Sequence, residues 1–420
     1  MSAQQLNQNS QSRFGRSMSL ILPLAWRNLW RNKRRSLLTM LAIFVAVMSM
    51  VVLGAFMRAW SSATIVETIN NLTGHGQIHA LQYLDDPNID YRIKAIPGSI
   101  ANHLNSAEVT HRADRVRVPA MIRSERENSP VELLGIQPAQ EKGLSFISEA
   151  IIDGRYLESN ADKGIILGKK LADRLQTKLG RRVVLMSQHQ DGSISERGYR
   201  VVGIFTSQPG IEKFNVFISI QSAQALLGIG SDISEVTFKL QSREQIAGFV
   251  QRLRNENSEL DIQAWDELQP FTKAMIEMSD GSILIWILVS FTVVSFGLIN
   301  TLLMAVFERM REFGLFQALG MKTRWLLLQI LFESTFMMAV ATAAGLIAGI
   351  LIVIAFEGGL DLGVGASYFG AAQVVYPELD WSEVSYIGVL VMFLGVLASL
   401  YPAIKAARNV PVDVLSRATN

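Results

Sequence analysis

Four stretches of the chain contain no Asp, Glu, Lys or Arg and are composed almost entirely of apolar residues. They span residues 36–57, 281–307, 334–356 and 384–404. A helix needs about 20 apolar residues to cross the hydrocarbon core of a bilayer, which is roughly 30 Å thick. Each stretch reaches that length. The pattern therefore predicts an integral membrane protein with four membrane-spanning helices.

The long segment between the first two apolar stretches has the composition of a soluble domain, because acidic and basic residues are interleaved through it. Short runs with strand character occur at Gln77–Leu81, Val116–Arg123, Val131–Ile136, Val183–Ser187, Tyr199–Phe205 and Val236–Leu240. Helical patterns occur at Lys169–Thr177, Ile220–Leu227 and Arg243–Asn255. Strands and helices do not alternate regularly, which favours an α+β domain.

The charges beside the apolar stretches predict the orientation. Residues 1–35 carry seven basic residues and no acidic one, and 308–324 also has an excess of basic residues. Residues 357–383 carry five acidic residues and no basic one. Short loops rich in Lys and Arg remain on the cytoplasmic side. We therefore expect both termini in the cytoplasm, and 58–280 outside it.

These observations divide the chain into nine segments. The fold class is membrane α-helical, with one helix before and three after a large α+β extracytoplasmic domain. The expected segments are a cytoplasmic tail with an interfacial helix (1–36), helix one (37–57), the α+β domain with stalk helices (58–280), helix two (281–307), a cytoplasmic coupling segment (308–324), helix three (325–356), an external loop (357–383), helix four (384–404) and a cytoplasmic tail (405–420).

The sequence offers no recognisable catalytic chemistry. Cys is absent, and a net charge of +2 does not favour a nucleic-acid partner. Gly164–Lys169 (GIILGK) has too few residues between its glycines for a phosphate-binding loop, so a turn and a strand are expected there. His75 and His79 are four residues apart, but the glycines flanking His75 disfavour a helix that would present both to a metal. We expect no catalytic residue, metal or cofactor on this chain.

The segment Leu20–Arg35 is amphipathic at helical spacing. Trp26 and Trp30 fall on one face, and Arg27 and Arg31 on the other. Trp with Arg at a membrane boundary is typical of an interfacial helix on the inner leaflet. An anchor that only sets the orientation is the alternative.

Two features within the third span suggest contacts with other groups, in this chain or in a partner. Glu333 is the only acidic residue in the spans, and it could mark an ion path. Its position near the cytoplasmic interface favours contact with a basic group instead. Ala341, Gly345 and Gly349 follow at four-residue spacing, which lets helix backbones approach closely, within the chain or against a second protomer.

Three stretches resemble MacB/FtsX-like ABC permeases, and most of all the lipoprotein-releasing (Lol-type) permeases. The first is Leu24–Leu41 (LAWRNLWRNKRRSLLTML) with Thr73–Pro87 (TGHGQIHALQYLDDP) downstream. The second, Glu308–Ser334, resembles the E-x-G-x-x-x-A-L-G cytoplasmic connection of that family. The third, Tyr401–Leu415, resembles its C-terminal P-A-x-x-A-A-x-x-x-P pattern.

The resemblance implies a permease that acts in pairs and binds a dimeric cytoplasmic ABC ATPase, which holds the ATP and Mg. In the family, the connection between spans two and three contains a short coupling helix that sits in a groove of the ATPase. The corresponding residues here are Arg311, Glu312, Phe313, Phe316, Ala318, Leu319, Gly320, Met321 and Lys322. An ordinary inner-leaflet loop is the alternative.

The resemblance leaves several functions open, all in the bacterial inner membrane. One is the release of lipoproteins from the membrane to a periplasmic carrier. Another is efflux of peptides, toxins or macrolides with an adaptor protein. The third is a mechanical transmitter that moves no substrate and activates a cell-wall hydrolase. The large external segment favours transport over transmission, and the lack of an ATPase on the chain favours lipoprotein release over efflux.

Overall fold

The computed structural model describes residues 33–310, 312, 315, 323–363 and 374–408. Its helices are α1 (Lys33–Thr68), α2 (Gly98–Leu104), α3 (Pro138–Glu141), α4 (Lys169–Arg174), α5 (Pro209–Phe214), α6 (Ile220–Leu227), α7 (Ile246–Glu256), α8 (Trp265–Leu268), α9 (Pro270–Glu308), α10 (Thr323–Ala355) and α11 (Trp381–Arg408). The described residues divide into two compact units. We call them the membrane unit (Met1–Trp60, Met278–Leu360 and Val375–Asn420) and the inserted domain (Ser61–Glu277 and Asp361–Val374).

The membrane unit contains the four helices that are long and apolar enough to cross a membrane, namely α1, α9, α10 and α11. Helices α1, α9 and α11 each contain one charge-free stretch and extend beyond both of its ends, whereas α10 ends at Ala355, one residue before its stretch ends. The four helices share one buried cluster, which includes Ile43 and Val47 from α1, Leu298 from α9, Met338 from α10 and Ile387 from α11.

The strands of the inserted domain form one sheet of ten. They are β1 (Gly76–Ala80), β2 (Val109–Arg123), β3 (Asn128–Ile136), β4 (Ile151–Gly154), β5 (Gly164–Gly168), β6 (Arg182–Gln188), β7 (Ile194–Phe205), β8 (Asn215–Ser219), β9 (Glu235–Leu240) and β10 (Leu260–Ala264). Nine of them follow the order β10-β1-β9-β2-β3-β8-β5-β7-β4, and β6 pairs with β2 and β7. Most pairs are antiparallel, but β3 with β8 and β5 with β7 are parallel. A separate pair, β11 (Leu360–Asp361) and β12 (Val374–Val375), lies between α10 and α11.

The predicted fold class is confirmed, with four apolar helices and a large α+β domain between the first and the others. The six predicted strands correspond to β1, β2, β3, β6, β7 and β9, and the strand expected in Gly164–Lys169 is β5. Helix α6 has the predicted bounds, whereas α4 ends three residues before Thr177. Strands β4, β8 and β10 were not predicted. They have four or five residues each, and β8 is buried at every position, so it shows no alternation of buried and exposed residues.

The core of the inserted domain consists of two apolar clusters. The larger one packs helices α2, α4, α6 and α7 against the sheet and contains Ile122, Leu133, Ile218, Phe238 and Phe249. The smaller one contains Phe205 and Phe217, whose ring centroids lie 5.4 Å apart in an edge-on arrangement. Burial of these side chains, favourable by about 25 cal/mol per Å² of apolar surface, stabilises the sheet and fixes its register.

Candidate functional site

Most of the predicted coupling segment lies outside the described residues. This applies to Arg311, Phe313, Phe316, Ala318, Leu319, Gly320, Met321 and Lys322, and also to the predicted interfacial residues Trp26, Arg27, Trp30 and Arg31. Glu312 is described, and so is the exposed Leu315. The structure describes the end of α9, where the segment begins, and the start of α10, where it ends.

Ion pairs join three helices at these ends. Arg309 Nη1 lies 3.3 Å from Glu333 Oε2 of α10, and its Nε donates to Glu312 Oε2 at 3.3 Å. Arg35 Nη1 of α1 donates to Oε1 of Glu308, the last residue of α9, at 3.0 Å. The basic group expected beside Glu333 is thus Arg309. These contacts hold α1, α9 and α10 together beside the predicted coupling segment.

A second set of ion pairs joins α1 to the start of α11. Arg58 contacts Glu383 and lies 3.4 Å from Asp380, which caps α11 by accepting from the Ser382 N–H at 2.9 Å. Gly54 faces the Glu383 carboxylate, and a Cβ atom at this position would collide with it. Asp380 and Glu383 of the acidic segment therefore pair with Arg58 of α1, which belongs to the same unit.

The small residues of α10 face α1. Ala341 is buried, and a Cβ atom on Gly345 would lie 2.8 Å from the Phe44 carbonyl oxygen. A Cβ atom on Gly349 would lie 2.9 Å from Val51 Cβ. Backbone approach of this kind is the usual role of small residues spaced by four in membrane helices. Gly345 and Gly349 therefore pack against α1 of the same chain.

Helix α1 continues into the inserted domain and ends there in a π-helical turn, Ile69–Thr73. The Gly74 N–H closes this turn on the Ile69 carbonyl at 3.0 Å, and Gly74 has a positive φ of 66°. A Cβ atom on Gly74 would lie 2.5 Å from Thr237 Cγ2 and 2.9 Å from the Phe238 carbonyl oxygen. Only glycine fits this turn without strain. We call residues 67–75 the helix root.

The helix root is hydrogen-bonded to several parts of the domain. Glu67 accepts from Gln208 Nε2 at 2.9 Å, and Asn70 Oδ1 accepts from Lys239 Nζ at 2.9 Å. His75 donates its N–H to the Phe238 carbonyl at 2.8 Å. The sheet and the segment before α5 therefore both hold the end of the helix.

The His75 side chain is buried as part of this arrangement. Its Nδ1 accepts from the Leu240 N–H at 2.9 Å, which requires a ring that is unprotonated on that nitrogen. Burial, followed by the charges of Lys239 and Arg243, lowers the pKa of His75 to about 4. The histidine is a neutral structural acceptor at pH 7, in agreement with the expectation that it does not pair with His79 on a helix.

A buried charge cluster lies beneath the helix root. Arg115 of β2 is paired with Glu141 of α3 through Nε at 2.5 Å and Nη2 at 3.0 Å, and with Glu235 of β9 through Nη1 at 2.9 Å. All three side chains are 0% exposed. Arg115 Nη1 also donates to the carbonyl oxygen of Leu72 at 2.6 Å. A parallel fork of donors on a carboxylate is the strongest ion-pair geometry available to Arg.

Glu235 lies at the centre of a cross-strand row in this cluster. In the register of the sheet it is directly opposite His79 on β1 and Arg115 on β2. Arg117 adds a contact at 3.5 Å. Burial alone would raise the pKa of Glu235, but the charge of Arg117, the His79 imidazole 3.7 Å away and the charge of Arg115 together hold that pKa below its usual range. Glu235 is therefore ionised whenever the domain is folded near neutral pH.

The strands that follow α1 and precede α9 are neighbours. Gly76 of β1 is opposite Ala264 of β10 in an antiparallel pair, and the Trp265 N–H donates to the His75 carbonyl at 3.1 Å. Helix α9 begins five residues later at Pro270. Both connections of the domain to the membrane helices therefore leave from one place in its sheet.

Among the described ranges, no three His, Cys, Asp or Glu side chains are grouped to hold a metal. Sequence analysis did not identify Arg115, Glu141 or Glu235, because the three residues are far apart in the chain.

Family models match most of the chain. A MacB-like periplasmic core domain model matches residues 36–256, and an FtsX-like permease C-terminal model matches residues 284–411. The first model covers most of the inserted domain, which therefore belongs to that domain family.

Individual relatives are similar at low identity but over long alignments. The lipoprotein-releasing system transmembrane protein LolC of Neisseria meningitidis is 21% identical, over 92% of this chain and 95% of that protein. The macrolide export ATP-binding/permease protein MacB of Bdellovibrio bacteriovorus is 23% identical, over 95% of this chain and 62% of its own length. The crystal structure of the periplasmic region of MacB from Actinobacillus actinomycetemcomitans matches at 15% identity and a TM-score of 0.35, over 50% of this chain and 97% of that structure.

The two family models together span both the inserted domain and the last three membrane helices. They agree with the family that the three sequence stretches resembled. This chain belongs to the MacB/FtsX-like family of ABC transporter permeases.

Proposed function

We propose that this chain is the permease subunit of a transporter that releases lipoproteins from the bacterial inner membrane. Two permease chains, identical or similar, would act with a dimeric cytoplasmic ATPase that binds ATP and Mg. The observation that carries the proposal is the alignment with a lipoprotein-releasing permease over 92% of this chain and 95% of that protein. The division of this chain into one helix, a domain and three helices also supports the proposal.

The geometry supports transmission of force along the chain. The coupling segment between α9 and α10 would dock on the ATPase, and the pairs of Arg309 and Arg35 would pass its displacement to three helices. Helix α1 runs from this end to the helix root without interruption, apart from the change to a π-helical turn. The inserted domain then moves with its helices and acts on a substrate outside the cytoplasm.

The proposed orientation places both termini and the coupling segment in the cytoplasm. It rests on the basic residues of 1–35 and 308–324 and on the acidic residues of 357–383. A periplasmic carrier would receive the lipoprotein, because a lipid-anchored product needs a protein to shield its acyl chains from water.

Efflux is the second candidate function, supported by the alignment with a macrolide export protein over 95% of this chain. The alignment covers only 62% of that relative, whose name includes an ATP-binding part. The lipoprotein-releasing relative is aligned over 95% of its own length, which favours lipoprotein release over efflux. Transmission to a cell-wall hydrolase is the third candidate, and the large size of the inserted domain argues against it.

The test is reconstitution of the permease and its ATPase in liposomes that contain a lipid-anchored protein. We expect release of this protein to a soluble acceptor only while ATP is hydrolysed. A Leu319→Asp permease, whose new charge would be buried in an apolar contact, should insert normally but lose the ATPase and the release.

Other outcomes would decide against the proposal. Stimulation of ATP hydrolysis by a small amphiphile or peptide, with no release of any lipoprotein, would establish efflux. Transmission would be established if the inserted domain captured a peptidoglycan hydrolase and neither a lipoprotein nor a small amphiphile or peptide stimulated ATP hydrolysis. Normal co-purification of the ATPase with the Leu319→Asp permease would exclude the coupling segment as its docking site.

A further inference from the structure

We infer that Arg115 is a positioning residue that fixes the end of α1 to the sheet of the inserted domain, so that movement of the helix becomes movement of the sheet. The inference rests on the proposed function, since it concerns how force reaches the domain. The contact that carries it is the hydrogen bond from Arg115 Nη1 to the Leu72 carbonyl oxygen at 2.6 Å.

The helix root offers a carbonyl oxygen that can accept a hydrogen bond from a cationic side chain. The last carbonyl groups of a helix have no partner within the helix and carry partial negative charge. The π-helical turn Ile69–Thr73 satisfies the Ile69 carbonyl through the Gly74 N–H, but Leu72 must find donors elsewhere. It accepts from Gln77 Nε2 at 3.1 Å and from Arg115. The guanidinium is the cationic partner of the helix end.

The environment of Arg115 holds its guanidinium in one orientation. Glu141 accepts two of its hydrogen bonds and Glu235 accepts a third. Glu141 is itself fixed by the Ser145 hydroxyl, which donates to Oε2 at 2.6 Å. Strand β2, strand β9 and helix α3 are thus joined through one side chain, which leaves Nη1 directed at Leu72.

Stability of the sheet alone does not require this arrangement. A buried ion pair pays a large desolvation cost, and well-packed apolar side chains in its place are often as stable or more so. An apolar side chain cannot donate a hydrogen bond to the Leu72 carbonyl. What the arginine adds is therefore a charged hydrogen bond to the Leu72 carbonyl, beside the neutral one from Gln77.

Arg117 is a natural control for this argument. It lies two residues further along β2, on the same face by strand alternation, and pairs with Glu132 at 2.9 Å and with Glu235 at 3.5 Å. Its side chain is 24% exposed, and it donates no hydrogen bond to the helix root among the described contacts. A change at Arg117 removes a charge pair of the same type without releasing Leu72.

The test compares two double variants of the full chain, assembled with its ATPase. Arg115→Met/Glu141→Leu removes one positive and one negative charge and leaves Glu235 with Arg117 and His79. Arg117→Met/Glu132→Leu is the matched control. Two quantities are measured: hydrogen exchange of the amides at 70–77, and the number of ATP molecules hydrolysed for each lipoprotein released. Arg115→Lys is a third variant, which keeps the charge but not the fork of donors.

In the Arg115→Met/Glu141→Leu variant we expect exchange at 70–77 to be about ten- to a hundredfold faster, as for loss of a charged hydrogen bond, while strands β5 and β7 stay protected. ATP hydrolysis should remain within about twofold of wild type, and ATP consumed per release should rise several-fold. The control should resemble wild type in both respects. Should the double variant fail to fold, Arg115→Lys should give the same two changes at a smaller size.

Two results would overturn the inference. One is unchanged exchange at 70–77 and an unchanged ATP cost in the folded Arg115 variants. The other is an equal rise in ATP cost in the Arg117 control. A wild-type assembly that releases no lipoprotein would instead refute the proposed function, and the exchange measurement would still decide whether Arg115 fixes the helix root.

Discussion

Arg309 in the membrane unit and Arg115 in the inserted domain each pair with two carboxylates, in very different surroundings. Arg309 reaches Glu333 and Glu312 at 3.3 Å, and Glu312 is 40% exposed. Arg115 reaches Glu141 at 2.5 Å and Glu235 at 2.9 Å, with every partner fully buried. The first arginine lies at a helix end, where water can solvate its partners. The second is shielded from solvent, so protein groups must accept its hydrogen bonds in place of water.

The apolar contacts of the two units also differ, because one depends on close backbone approach and the other on burial of large side chains. Helices α1 and α10 approach each other through Gly345 and Gly349, where side chains are missing. The inserted domain is filled by large side chains such as Phe205 and Phe217. Lipid tails are as apolar as leucine, so membrane helices gain little from hydrophobic burial and depend on close packing. The domain folds in water and gains from burial itself.

The largest effect that this comparison predicts is at Arg115. Arg115→Ala leaves Glu141 buried without the arginine that pairs with it and removes one of the two arginines beside Glu235, which should lower the free energy of unfolding of the domain by about 3–5 kcal/mol. Arg123→Ala on the same strand removes the exposed pair with Glu196 and should cost at most about 1 kcal/mol. Denaturation of the purified chain, followed by circular dichroism, measures both. Equal losses would show that burial does not distinguish the two pairs.

The next effect concerns the contact between α10 and α1. Gly345→Leu should weaken helix packing by about 1–3 kcal/mol, because the Phe44 carbonyl and Val47 occupy the space that its side chain needs. Gly297→Leu on α9 is the matched control, since nothing lies within 4 Å of a Cβ atom there. Thermal stability of the chain in detergent is the measurement. A Gly345→Leu chain as stable as the Gly297→Leu chain would contradict close packing at this contact.

A third effect concerns pH and His75. Its pKa is lowered from 6.5 to about 4 in the folded chain, first by burial and then by Lys239 and Arg243. Between these values the unfolded chain binds a proton that the folded chain does not, so stability present above pH 6.5 is lost as the pH falls towards 4. The loss should be of the order of 1–3 kcal/mol.

His75→Asn tests this assignment, because asparagine can accept the Leu240 N–H but does not titrate. The variant should show a shallower decline in thermal stability between pH 6.5 and 4 than the wild type. Parallel curves for the two proteins would mean that other groups set the acid sensitivity.

The membrane helices could be predicted because a continuous apolar run is a local signal. The strands longer than five residues could be predicted for the same reason, since alternation is visible within a short window. The short strand β8 (Asn215–Ser219) is buried at every position, so it has no alternation to detect.

The buried charge cluster could not be predicted from local patterns. Arg115 lies in a stretch of β2 that also contains Arg112 and Arg117, and nothing in the sequence separates the buried arginine from its neighbours. Its partner Glu235 is 120 residues away in the chain. Only the order β1-β9-β2 in the sheet places His79, Glu235 and Arg115 in one row. Non-local pairing of this kind follows from topology.

The neighbouring positions of β1 and β10 make the inserted domain an exchangeable module. Gly76 and Ala264 face each other across an antiparallel pair, so their Cα atoms are about 5 Å apart. Domains whose ends lie this close can be inserted into a host chain without stretching it. A permease of this family could thus acquire a different domain by exchange at these two points, and its membrane helices would need no change in length or register.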